Sequence, residues 1–454
     1  MSRLREAIDT YHALLSDEVA AESQAQLDEQ QRRRGLIFGQ RPLCTVLRPR
    51  FMSPEQYRYL QRHVAILLGA FAKAHFRAMA DPAFRAQFGL AYWEEALIQH
   101  DHRFGAPSPT SRLDTFLLPD RDAFAITEYN AETPAAQGYS DVLADVFATL
   151  PAMRAFLRRY EVHPLLARHR VVNALLDSFH EWSGRPHEAP TIAILDWREV
   201  PTYSEHLLFQ DYFRMQGLQC ITADPREVEY RNGRLVVGDF HITLIYKRVL
   251  ISELIDRGGM DHPVVRAVQD GAVCMVNPFA CKVLHKKASL AVLSDERNSA
   301  LYTAEEHQAI AEHIPWTRRV EERWTRYRDQ SIDLVPFILA QRERLVLKAN
   351  DEYGGKGIVL GWLTATDEWE RAVQTALAQP FIVQERITIP SETYPSMRDG
   401  RLELHERIMD TAPYIYYGDV VDSCLTRLST DPLVNVTAGG GSTVPTFLVE
   451  PRER

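Results

Sequence analysis

Apolar positions along the chain fall into long helical stretches and short strand-like runs, and the balance shifts near residue 190. Through 54–80, Leu60, Val64, Leu67, Leu68 and Phe71 recur at helical spacing behind a Ser53-Pro54-Glu55 start, which predicts one long core helix. Residues 1–36 are polar and helical in character and end in the charged run 28–34, a solvated face, so 1–100 reads as a mainly helical region. The stretch 42–50 (PLCTVLRPR) reads as a strand, and 131–186 as helical up to Ser183-Gly184-Arg185-Pro186. Then the texture changes. Apolar runs at 191–196 (TIAILD), 218–222 and 241–246 (HITLIY) surround a helix over 203–216 that Gly217 stops. Strand, helix and strand with short links predict a small Rossmann-like α/β unit with parallel strands over 187–275. It lacks GxGxxG, so dinucleotide binding is not indicated. Asp196, Lys247 and Arg248 stand at strand ends, where such a unit meets a ligand, though each also reads as a plain surface charge.

Later segments predict a basic-headed helix after Lys286 and Lys287, polar helices over 303–313 and 317–330, and a helix over 367–378. Strand-like runs occupy 381–387 (FIVQERI) and much of 401–449, with Gly439-Gly440-Gly441-Ser442 as a close-approach turn.

Two stretches carry chemistry. In 344–361 (RLVLKANDEYGGKGIVLG) two apolar runs flank a loop with Gly354, Gly355 and Gly357, and Lys348 and Lys356 accompany them. Glycines let backbone N–H groups approach a polyphosphate, and the lysines supply compensating charge. It is not a P-loop, since a strand rather than a helix follows. A hairpin whose glycines only satisfy turn geometry is the plainer alternative. In 112–130 two apolar segments are joined by Pro119-Asp120-Arg121-Asp122, a turn signal that predicts a β-hairpin. Alternation puts Arg112 and Asp114 on one face of the first strand, and Glu128 and Asn130 on one face of the second. Pairing would gather Asp114, Glu128 and Asn130, whose hard oxygens suit Mg²⁺; acidic residues on an exposed hairpin face are the alternative.

Composition narrows the field. With 454 residues the chain holds two or three domains. A net charge of −9 and a pI near 6.0 argue against nucleic acid as the main partner. The five cysteines lack CxxC spacing and read as reduced, buried thiols, not as a zinc site or a disulfide frame. No secretory signal or bilayer-length apolar run is visible, and a cytoplasmic protein without membrane contact is expected.

Taken together, 112–134 (RLDTFLLPDRDAFAITEYNAETP), 244–249 (LIYKRV), 277–296 (NPFACKVLHKKASLAVLSDE), 346–362 (VLKANDEYGGKGIVLGW), 382–387 (IVQERI) and 427–445 (RLSTDPLVNVTAGGGSTVP) resemble the circularly permuted branch of the ATP-grasp superfamily, which includes glutathionylspermidine synthetase-like and type 2 proteins. In unpermuted members the metal-binding strands follow the glycine-rich lid; here R-x-D…E-x-N comes first, as permutation requires. The resemblance implies an α+β ATP-grasp fold with the permuted metal-binding part over 101–186, an inserted Rossmann-like substrate domain over 187–275, and lid, adenine hinge and C-terminal core over 276–454. It implies Asp114, Glu128 and Asn130 as Mg²⁺ ligands and Arg112 at the transferred phosphoryl group. Lys348 and Lys287 would hold ATP phosphates under a lid of Gly354, Gly355, Lys356 and Gly357. Gln384, Glu385 and Ile387 would form the adenine hinge, and Arg427 with the 439–441 turn would lie near the substrate. Lys286 stands where relatives have a small or amide residue, which leaves open whether Lys286 or Lys287 points inward.

The implied activity is ATP- and Mg²⁺-dependent joining of a small-molecule carboxylate to an amine, such as an amino acid or peptide, through an acyl phosphate with release of ADP and phosphate. A non-catalytic nucleotide-binding module and a small-molecule kinase are the alternatives.

Overall fold

The seven antiparallel strands that carry the 112–130 stretch form the largest sheet of the protein. A computed structural model describes residues 3–118, 123–430 and 441–452. In that sheet Ser391–Arg398, Arg401–Met409, Val420–Ser429, Ala412–Tyr416, Thr110–Leu117 and Phe124–Asn130 lie side by side in this order, and Ser442–Val444 pairs with Val420–Ser429. The predicted turn at 119–122, and Gly439 and Gly440 of the predicted glycine turn, lie outside the described residues.

The 110–130 hairpin pairs Arg112 with Asn130 and Asp114 with Glu128, then slips register by one residue between Asp114 and Thr115. Thr127 is the extra residue. Before it, Phe124 and Ile126 point into a core shared with the long helix Pro54–Ala80; after it, Tyr129 does so, 4.7 Å from Phe71. The bulge thus reverses which parity faces inward and turns Glu128 and Asn130 to the opposite side.

A second sheet of four antiparallel strands runs Thr317–Arg319, Phe381–Glu385, Leu345–Ala349, Ile358–Leu360. Leu345, Leu347 and Val383 bury one face beneath Trp369 and Val373 of the helix Thr366–Ala378. Val346, Lys348 and Gln384 therefore share the other face. The helix expected over 317–330 is not formed: Thr317–Arg319, Trp324–Tyr327 and Gln330–Asp333 are strands. Polar content there comes with Thr317, Thr325 and Tyr327, and the 317–319 backbone bonds to 382–384, so pairing overrides the pattern.

The third layer is parallel. Cys274–Val276, Leu244–Lys247, Thr191–Leu195 and Gln219–Ala223 lie in that order, so the expected α/β unit forms with a fourth strand that straddles 275. The single strand expected over 241–246 is divided at Thr243. Phe240–Ile242 joins an antiparallel sheet with Arg234–Val237 and Glu229–Arg231, while Thr243 backbone and hydroxyl are spent on Thr191.

Two further expectations fail at the N-terminal side. Within 42–50 only the ends enter strands, Arg41–Pro42 and Arg50–Met52, since Pro42 and Pro49 lack the N–H a ladder needs. Within 131–186 the strand Tyr160–Pro164 interrupts the helices and pairs with Thr446–Pro451, whose other edge holds Arg50–Met52. Among the described residues no helix is long and apolar enough to cross a membrane.

Arg48 and Arg50, both fully buried, converge on Glu392; Arg50 donates at 2.6 Å, and the Arg48 guanidinium also lies 4.1 Å from the Tyr394 ring centroid. Burial would raise the Glu392 carboxyl, but Arg50 and Arg48 outweigh it and hold it at about 2. Glu392→Ala strands two buried guanidinium groups and is expected to cost about 3–5 kcal/mol in urea denaturation. In the parent this contribution is complete above pH 4.5 and is lost as pH falls towards 2. The variant lacks that acid-dependent step.

Candidate active site

The three sheets meet around one cleft of about 460 Å³. The bulged hairpin contributes Arg112, Asp114, Glu128 and Asn130; the four-stranded sheet contributes Val346, Lys348, Gln384 and Glu385, with Ile387 just beyond its strand; Asp196 and Arg248 enter from the ends of the parallel strands. The first and third strands of the parallel sheet are neighbours, so their connections leave on opposite sides and open a crevice at their carboxyl ends.

On the hairpin wall, Arg112 donates to both oxygens of Asp114 at 2.6 and 3.1 Å, and Arg427 donates to the second at 2.9 Å. Burial would raise the Asp114 carboxyl, but Arg112 and then Arg427 outweigh it and hold it well below the usual carboxylate range. Arg427 is itself gripped by Asp410 at 2.6 Å through both backbone N and Nε. Asn130 presents a buried Oδ1 that has no hydrogen-bond partner among the described residues, a cost that a cation in the cleft would relieve. With the Glu128 carboxylate beside it, this is a hard-oxygen set that fits a magnesium ion.

Lys348 faces this wall across the cleft. Its ammonium donates to Gln384 Oε1 at 2.7 Å and to the carbonyl of Thr127, the bulge residue, at 3.1 Å. Burial depresses the Lys348 ammonium to about 8; Glu128 pulls it back up and Lys287 pushes it further down. Neither of the adjacent lysines is among the lining residues: Lys287 Nζ lies 3.5 Å from Glu128 and donates to the Glu352 carbonyl at 2.6 Å, whereas Lys286 is paired with Glu94 at 2.7 Å and Asp351 at 2.9 Å.

The glycine loop divides. Gly354 and Gly355 line the cleft, with φ of +64° and +81°. Lys356 and Gly357 are not among the lining residues: Lys356 is exposed, its Nζ 5.2 Å from the Tyr353 ring centroid. A Cβ on Gly357 would stand 2.6 Å from that of Ala349, so this glycine serves the turn. Around the end of the strand Phe381–Glu385, Val346, Ile358, Leu360, Trp362 and Ile387 form an apolar wall. Gln384 spends its amide on Lys348 and on Thr317, and Glu385 accepts from Tyr327 at 2.6 Å.

Two groups escaped the sequence reading. Asp410 had no visible signal, since it precedes an apolar strand like many surface acids. Glu132 had one, because it continues the Glu128, Asn130 alternation. It is fully buried and holds Lys282 at 3.0 Å and Lys247 at 3.5 Å, while Lys282 reaches Asp351 at the root of the glycine loop at 2.7 Å.

No family model and no curated protein sequence matches the chain. A glutathione synthetase-like effector from Globodera pallida superposes with a TM-score of 0.59, covering 96% of this chain and 95% of its own at 11% identity. The two chains share a fold. A putative gamma-glutamylcysteine synthetase from Methylobacillus flagellatus KT gives a TM-score of 0.45 at 10% identity over 84% of this chain and 87% of its own. A D-alanyl-alanine synthetase A from Vibrio cholerae gives 0.26 at 11% identity over 49% and 67%. Neither adds to the argument.

The charge arrangement is open to titration. In protein with ¹³C-dimethylated lysines, one resonance is expected to move at about pH 8 and to be missing in Lys348→Met. Glu128→Gln removes the charge that raises this group, so the midpoint moves down. An unchanged midpoint would mean that the two side chains do not share the cleft.

Proposed function

We propose that the protein is an ATP- and Mg²⁺-dependent carboxylate–amine ligase built on a circularly permuted ATP-grasp core, with 187–275 and 1–100 shaping substrate choice. The observation that carries this reading is the bond from Lys348 to the Thr127 carbonyl, which sets the lysine beside the Glu128 and Asn130 oxygens.

The chemistry follows from charge. A carboxylate is a poor electrophile until its oxygen is made a good leaving group, and transfer of the terminal phosphoryl of ATP does this by forming an acyl phosphate. The amine then attacks the acyl carbon, the C–O bond to phosphate breaks, and ADP and phosphate leave. Glu128 and Asn130, with Asp114 once an arginine yields an oxygen, would hold Mg²⁺. The ion supplies charge neutralisation at the triphosphate. Lys348 and Lys287 orient the phosphates, and Arg112 balances charge at the transferring group. Gly354 and Gly355, which carry no side chain, let the loop backbone come close over the phosphates and exclude water from the acyl phosphate. Val346, Leu360 and Ile387 suit an adenine ring. Asp196, whose carboxyl burial lifts to about 7, and Arg248 provide a polar wall for the acid and the amine.

ADP and phosphate are expected only when acid, amine, ATP and Mg²⁺ are all present, in a screen of amino acids and short peptides. Lys348→Ala and Glu128→Ala each lower turnover by about 10²-fold or more, with circular dichroism unchanged. AMP and pyrophosphate as products would overturn the mechanism. One observation favours a second reading: both Asp114 oxygens are held by arginines, as suits a nucleotide-binding scaffold without catalysis. Nucleotide binding without turnover across the panel would support it.

A further inference from the structure

On the far side of the 110–130 hairpin, His63 of the helix Pro54–Ala80 meets Glu312 and His313 at the end of the helix Ala304–His313. We propose that these three side chains bind a borderline transition-metal ion of the zinc class, separate from the Mg²⁺-type site in the cleft.

The geometry is close to a coordination shell. His313 Nε2 lies 3.0 Å from His63 Nδ1 and 3.8 Å from a Glu312 oxygen, and all three ligand atoms fall within 4.8 Å of one another. Donors around tetrahedral Zn²⁺, at bond lengths near 2.0–2.1 Å, stand about 3.3 Å apart, so no separation need change by more than about 1.5 Å.

The rings are already oriented. His313 Nδ1 lies 3.0 Å from the Phe124 carbonyl, which can only accept, so Nδ1 carries the proton and Nε2 presents its lone pair towards the site. The same ring stacks on Phe124 with centroids 3.9 Å apart and planes 3° from parallel, and His63 is held by Tyr59 at 4.3 Å. His63 Nδ1–H donates to His313 Nε2 in the free protein; binding moves that proton to the outer Nε2, and no proton need be released. The Glu312 side chain is 44% exposed, so an ion has an entry path. Two imidazoles and one carboxylate select a zinc-class ion over Mg²⁺ or Ca²⁺. The ion would staple the two helices to the first residue of the strand that leads to Glu128.

The full-length protein, stripped with a chelator and titrated with Zn²⁺ against a chromophoric competitor in excess Mg²⁺, tests this. Wild type is expected to bind one Zn²⁺ that His63→Ala binds at least about tenfold more weakly. Glu312→Gln, at an exposed position, gives a smaller loss in the same direction, and Co²⁺ in wild type develops the intense visible bands of a four-coordinate site that His63→Ala lacks. Equal stoichiometry and affinity in wild type, His63→Ala and Glu312→Gln, or a Co²⁺ spectrum unaffected by the substitutions, would overturn the proposal.

Discussion

A desolvated ammonium held between two β-hairpins is the constraint from which the cleft follows. Lys348 gives one hydrogen bond to its own sheet, at Gln384, and another to the opposite hairpin, at the Thr127 carbonyl. Buried charge is tolerated only where partners replace water, and here the partners belong to elements more than 200 residues apart in sequence. The bulge does two things at once. It turns Glu128 and Asn130 out of the core and leaves the Thr127 carbonyl free for the lysine, since a bulged residue falls out of the ladder.

The glycine loop is anchored just before its mobile-looking composition begins. Asp351 is clasped by Lys282 and Lys286, which are tied in turn to Glu132 and Glu94. Burial would lift the Glu132 carboxyl, but Lys282 and Lys247 outweigh it and keep it ionised. Such a network fixes register between segments more surely than it adds net stability, because desolvation offsets most of the Coulombic gain. Here it joins the loop root, the hairpin strand and the parallel sheet, so the three walls of the cleft keep their relative positions. Lys286 is one of its members, whereas Lys287 stands outside it, beside Glu128 and the Glu352 carbonyl.

Part of this was readable in the sequence. Alternation placed Arg112 with Asp114 on one face of the first strand and Glu128 with Asn130 on one face of the second, and flanking apolar runs placed Lys348 and the glycines on a strand–loop–strand segment. The period of two is local, so it survives in sequence. What it could not give was the bulge, because an extra residue in one strand has meaning only against its partner. Polar stretches misled for the same reason: 317–330 has no core face of its own and takes its form from pairing with 381–385. Asp410 and Lys282 acquire their roles from partners 17 and 150 residues distant, and no spacing rule encodes such contacts.

Charge counting connects the architecture to the proposed chemistry. On the hairpin wall alone, Arg112, Arg427, Lys348 and Lys287 face Asp114, Asp410 and Glu128, a surplus of one cation. A bound triphosphate brings several negative charges, more than the surplus cation can balance, so a divalent ion is needed for a tight complex. The oxygens best placed to receive it are those that the arginines leave alone, Glu128 and the Asn130 Oδ1 that has no partner among the described residues. Asp114 would join only if the incoming phosphates drew Arg112 or Arg427 away. On the proposed reading, metal and nucleotide binding would be coupled through those arginines: phosphate would compete for the guanidinium groups, and each one captured would free a carboxylate oxygen for the ion. A hairpin wall that carries one surplus cation without ligand would then become a metal site mainly with the triphosphate present.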